Sequence, residues 1–121
     1  MRMLGLVTIG AAVVLGGCGN DPSGYGSGSC TPTASQVCMG NSTFSPTTRT
    51  VSAGATVTWL NGSGFAHTVT NSPGSGETFD ETVGVGSGVF SHQFNAPGTY
   101  PYYCKNHGTP TTGMRGTIVV P

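Results

Sequence analysis

From Val37 to the C-terminus the apolar residues of this chain return at every second position and never settle into the spacing of a helix. A period of two sends side chains to alternate faces of an extended strand, so such a chain buries its hydrophobic surface only by forming sheets. In "ATVTWLN", Ala55, Val57 and Trp59 face one way, and Thr56 and Thr58 the other. "AHTVT" (Ala66 to Thr70) is a second short strand beyond the glycine-rich turn "NGSGF". "GVFSHQF" sets Phe90, His92 and Phe94 on one face. "TYPYYC" sets Tyr100, Tyr102 and Cys104 on one face with Tyr103 opposite, and "GTIVVP" closes the chain as a last strand. Short half-buried strands separated by turns predict an all-β fold of two packed antiparallel sheets. The expected core is Phe44, Val51, Val57, Trp59, Val69, Phe90, Phe94, Tyr100, Tyr102, Ile118 and Val120. Pro101 lacks an N–H, so inside a strand its nitrogen must face an edge or a bulge.

The first residues do not belong to this pattern. "MRMLGLVTIGAAVVLGGC" carries one arginine, then an apolar run from Leu4 to Leu15, then small residues. That run is too short to span a bilayer and reads as an export signal over residues 1–17. "LGGC" resembles a bacterial lipobox, which makes Cys18 the lipid-bearing N-terminus of the mature protein; an ordinary signal cut nearby would instead leave it soluble. "GNDPSGYGSGS" reads as a flexible tether, so residues 18–36 are expected to be linker and residues 37–121 the domain. The predicted location is periplasmic or at the cell surface, anchored to the membrane through Cys18. Without the signal the charges are Arg49, Lys105 and Arg115 against Asp21, Glu77, Asp80 and Glu81. So sparse and slightly acidic a balance excludes nucleic acid as a partner. In an oxidising compartment Cys30 and Cys38 stand close enough to bridge. The alternative is that they bind metal together with Met39. Cys104 then has no cysteine partner and needs another explanation.

That explanation lies in "YYCKNHGTPTTGMRG", which puts Cys104, His107 and Met114 around one turn. The chain has three histidines, His67, His92 and His107. If the loop before the His67 strand shares one end of a sandwich with this turn, His67, Cys104, His107 and Met114 converge. Two imidazoles and a thiolate with a weak thioether suit copper cycling between two oxidation states. Zinc has no redox role, and methionine is a poor ligand for it. His92 lies well before the turn along the chain and is expected to be structural. No serine or threonine has the acid–base partners of a nucleophilic enzyme. A multicopper oxidase or reductase would need more histidines than the chain holds, unless subunits combine. The chain is therefore read as a non-enzyme.

"VTWLN…HTV" followed by "F…F…PGTYPYYCKNHG…GMRGTIVV" resembles the cupredoxins, in particular the plastocyanin-like blue copper proteins, from about Phe44 to Pro121. The resemblance implies a Greek-key β-sandwich holding one type 1 copper ion. It implies His67, Cys104 and His107 as equatorial ligands and Met114 as the axial one. It also implies a monomer that passes single electrons between transiently bound redox proteins, with the edge of His107 as the port among Gly62, Phe65, Gly108 and Pro110. Copper binding and delivery is the alternative role. Two departures from the family pattern stand out. The gap between His107 and Met114 is longer than in many plastocyanins. Asn106 also stands where many members have proline, so its backbone N–H, with that of Thr68, is expected to point at the Cys104 sulfur and raise the reduction potential.

Overall fold

The computed structural model describes residues 30–121. The signal-like segment 1–17, Cys18 and the tether as far as Ser29 lie outside the described residues. Nine strands form in chain order: β1 (Gln36–Met39), β2 (Phe44–Ser45), β3 (Thr48–Thr50), β4 (Ala55–Asn61), β5 (His67–Asn71), β6 (Asp80–Val83), β7 (Val89–Phe94), β8 (Gly98–Gly108) and β9 (Gly113–Val120). They build a four-stranded sheet ordered β2-β1-β4-β7 and a five-stranded sheet ordered β3-β9-β8-β5-β6.

The alternation read from the sequence is the alternation observed. Val57, Trp59 and Asn61 of β4 are buried, as are Tyr100, Tyr102 and Cys104 of β8. Trp59, fully buried at the centre, lies with its ring centroid 5.3 Å from Tyr102, 5.4 Å from Phe90 and 6.1 Å from Phe79. It thus bridges the two inner faces, the closely packed aromatic contact that a two-layer core requires. Of the expected core only Phe90 is partly rather than fully buried, packed against the rest. Val37, Met39, Phe79 and Val83 join it.

The sandwich holds, but its sheets are mixed rather than wholly antiparallel. β1 runs parallel to β4, and β3 parallel to β9. Both pairs join segments separated by intervening strands, as a parallel pair requires. Alternation reports which face a residue takes; it does not report which strand lies beside it. Pro101 sits in an interior strand, yet its nitrogen disrupts nothing. Its carbonyl accepts from the Ser72 N–H at 2.9 Å, so its nitrogen faces the same side, just past Asn71, where β5 has ended.

Cys30 is joined to Cys38 with the Cα atoms 5.6 Å apart. The bond ties the segment before β1 to that strand. Cys30 rests against the turn after β4, where a Cβ placed on Gly62 would lie 3.5 Å from the Cys30 Cβ. That turn leads into His67.

Candidate metal centre

His67 opens β5, Cys104 lies in the neighbouring β8, and His107 follows three residues later. In a regular strand residues three apart face opposite sides. Here the β8–β9 ladder slips between the pairs Tyr103–Arg115 and Gly108–Gly113, leaving extra residues on β8. This bulge returns His107 to the side that Cys104 occupies, the use to which bulges beside functional sites are put. Nδ1 of His67 lies 3.1 Å from Nδ1 of His107, and the Cys104 Sγ lies 3.6 Å and 3.7 Å from these two nitrogens. A point equidistant from the three donors is roughly 2 Å from each, the length of a metal–imidazole bond. Two imidazole nitrogens and one sulfur fit an ion that accepts soft and borderline ligands at once. His67 and Cys104 are fully buried; His107 is partly exposed. Met114 is buried in β9, at the end of the same hairpin.

Burial holds the His67 imidazole below its usual pKa, and the positive charge His107 acquires on protonation lowers it further, against the Gly40 backbone. The ring is therefore neutral near pH 7, as a ligand must be. Its far nitrogen, Nε2, lies 2.9 Å from the Ser63 Oγ. The Thr68 N–H donates to the Cys104 sulfur at 3.3 Å, one of the two bonds the sequence leads one to expect. The second does not form. Asn106 instead donates its side-chain amide to the Ala66 carbonyl at 3.0 Å, tying the bulge to the residue before His67. A proline at 106 would remove no donor from the sulfur.

Thr68 and Thr70 point to the outer face of β5, yet both are buried. Their hydroxyls are 3.0 Å apart. The Lys105 N–H donates to Thr68 Oγ1 at 2.8 Å, and Thr70 donates to Asp80 Oδ1 at 2.9 Å. Each hydroxyl has one proton. The Thr70 hydroxyl stands in donor geometry to both Asp80 Oδ1 and Thr68 Oγ1 and shares its one proton between them. The Lys105 ammonium closes the ring on Asp80 Oδ2 at 2.7 Å. This loop of bonds ties β5, β6 and β8 together directly behind Cys104.

The long gap from His107 to Met114 is a continued hairpin. Gly108 pairs with Gly113, and the Thr109 N–H donates to the Thr112 carbonyl at 2.8 Å. The Thr109 hydroxyl accepts from the N–H groups of Thr111 and Thr112. Beside this loop Phe65, 52% exposed, meets the His107 ring edge-on at 6.0 Å. His92 stands apart from the site, 3.2 Å from Glu77 and packed on Phe79 and Phe94. Cys30 and Cys38, joined to one another, offer no thiolate to a metal. The sequence reading passed over Asn61 and Ser63. The signal available was an asparagine and a serine two residues apart in a glycine turn, the pattern of side chains that bond their own backbone.

The sequence pattern of the family described as copper binding proteins, plastocyanin/azurin family, matches residues 32–121. A plastocyanin of Scenedesmus fuscus is 32% identical over an alignment covering 64% of this chain and 85% of its own length. Amicyanin-alpha of Methylorubrum extorquens is 36% identical over 58% of this chain and 57% of its own. Among solved structures, the copper-containing nitrite reductase of Thermus scotoductus superposes with a TM-score of 0.63 at 25% identity. That match covers 76% of this chain and 23% of the reductase.

Proposed function

This chain belongs to the plastocyanin/azurin family of copper-binding proteins, with copper as its cofactor, and from that premise we propose that it carries single electrons between redox proteins at the bacterial cell envelope. The observation that carries the reading is the compact triangle of His67 Nδ1, His107 Nδ1 and Cys104 Sγ. His67, Cys104, His107 and Met114 would hold the ion. Copper held there supplies reversible one-electron chemistry between its two oxidation states. The protein's part is to keep one arrangement of donors. β5 and β8 fix two of them in the core, away from water, and the hairpin from Gly108 to Gly113 fixes the other two.

His107 is the ligand that reaches the surface. The exposed Phe65 meets its ring edge-on and Gly108 follows it in the chain, and a small face of this kind, with no charged side chain on it, suits a brief encounter with quick release. Carriage fits better than catalysis. Two of the three histidines stand in one centre and the third is paired with Glu77, and the matched part of the nitrite reductase is a minor fraction of that enzyme. The envelope setting rests on the signal-like segment, on "LGGC" with Cys18 as the anchor point, and on the Cys30–Cys38 bond, which suits an oxidising compartment. The test is the optical and electron-spin spectrum of the oxidised, copper-loaded protein. An intense sulfur-to-copper band with fast reversible reduction is expected, and Cys104→Ser abolishes the band. Weak colour with ready loss of copper to a chelator would replace electron carriage with copper delivery.

A further inference from the structure

Asn61 is fully buried at the end of β4, and its amide nitrogen contacts three backbone carbonyls: Phe65 at 2.8 Å, Gly84 at 3.0 Å and Val83 at 3.1 Å. Carbonyls only accept, so the nitrogen must face them and Oδ1 must face the other way. There it accepts from the Ser63 N–H at 2.9 Å and lies 2.8 Å from the Ser63 hydroxyl. Ser63 is itself buried, and its Oγ has four polar neighbours: Asn61 Oδ1, the Phe65 carbonyl at 3.1 Å, His67 Nε2 at 2.9 Å and the Phe65 N–H, which donates to it at 3.3 Å. Two of them are acceptor-only oxygens. The single hydroxyl proton goes to one of these, because sending it to the imidazole would set two bare oxygens against the lone pairs of Oγ. The Phe65 N–H takes one lone pair of Oγ, and the Nε2–H of His67 takes the other.

We propose that Ser63 is a positioning residue of the metal centre: oriented by Asn61, its hydroxyl oxygen accepts the Nε2–H of His67. Together with the Gly40 backbone, which also meets this ring, that bond favours one tautomer and one ring orientation, and so turns the bare Nδ1 toward Cys104 and His107. The frame that aims the ligand extends through the Asn61 amide to Val83 and Gly84 at the end of β6, across the sheet edge from His67. A bond to the outer nitrogen of a ligating histidine both fixes it and raises its basicity.

The proposal rests on the copper reading for its second arm only. Nitrogen-15 NMR of the metal-free protein at neutral pH reads the tautomer directly, without any variant. His67 is expected with its proton on Nε2, and a proton on Nδ1 overturns the proposal. Ser63→Ala is expected to give a mixture of tautomers and to weaken copper binding about 10- to 100-fold, with a shifted optical band. Ser63→Thr restores both. A Ser63→Ala protein that keeps one tautomer and wild-type affinity also overturns it. If the tautomer is as stated but no sulfur-to-copper band develops, the copper reading fails and this one stands.

Discussion

The hairpin that carries two of the four candidate donors turns on Gly113, and its substitution separates loop strain from general glycine effects. Gly113 has φ +76°, and a Cβ placed on it would lie 2.5 Å from the His107 carbonyl oxygen and 2.8 Å from the Gly108 Cα. Gly54 offers the control. Its φ is +87°, but nothing lies within 4 Å of the same Cβ position. Alanine at either site incurs the left-handed penalty of about 1–2 kcal/mol, offset by roughly 0.4–1 kcal/mol of lost freedom in the unfolded chain. Gly54→Ala should therefore cost about 1 kcal/mol. Gly113→Ala adds a clash with backbone, which no rotamer change relieves, worth a further ~1–3 kcal/mol. In a domain of this size each kcal/mol lowers Tm by about 4–8 °C. The expected losses are thus roughly 5 °C for Gly54→Ala and about 10–25 °C for Gly113→Ala.

The two substitutions also part in kind. The atom in the way at Gly113 belongs to His107, so relief of the clash moves a candidate ligand, whereas relief at Gly54 moves only a surface turn. Thermal unfolding of the metal-free proteins by circular dichroism measures the first difference. The sulfur-to-copper band and reduction potential of the loaded proteins measure the second. Equal Tm losses, or a Gly113→Ala protein with the spectrum and potential of the wild type, would refute the claim that this glycine sets the spacing of His107 and Met114.

Two further outcomes follow from the hydrogen-bond pattern. Lys105 and then Thr70 hold the Asp80 carboxyl below its ordinary pKa of 3.8, so its contribution is present above that pH and is lost as the pH falls through the lower folded value. Asp80 is half-exposed. Asp80→Asn should therefore cost no more than about 1 kcal/mol at pH 7, and urea titrations should show the gap from wild type closing below pH 3.8. The Tyr102 hydroxyl is buried with the Trp59 indole beside it and no bond of good geometry among the described residues, and burial raises its pKa far above the usual tyrosine range, against Trp59 and Arg49. An unpaired buried hydroxyl costs about 1–3 kcal/mol, so Tyr102→Phe should leave Tm unchanged or raise it; a clear fall would show that the Trp59 indole or an ordered water satisfies that hydroxyl.

What could be read in the sequence and what could not divide along a physical line. Period two reports a face, and so Val57, Trp59, Tyr100 and Tyr102 were legible as core, and the donor types of His67, Cys104 and His107 named their chemistry. Phe79 was not legible. It sits outside any alternation, in "GETFDET", and is buried because Trp59 and His92 pack on it from other strands. The parallel neighbours β3 and β9 are far apart in the chain, and nothing local to Thr48–Thr50 records that Ile118 lies opposite Arg49. Thr68 and Thr70 carry nothing in the local sequence that marks them as interior. They are buried because Lys105 and Asp80, on two other strands, satisfy their hydroxyls. Ser63 is the same case, since its partner Asn61 is local but the carbonyls that orient Asn61 are not. One long-range feature was nonetheless encoded. Cys104 and His107 stand an odd number of residues apart, which in an unbroken strand sends them to opposite faces. If both bind one ion, the ladder has to be broken between them, and the slip between Tyr103 and Gly108 is that break. Demanding that the donors converge is thus itself a prediction of local structure, one that periodicity alone would have ruled against.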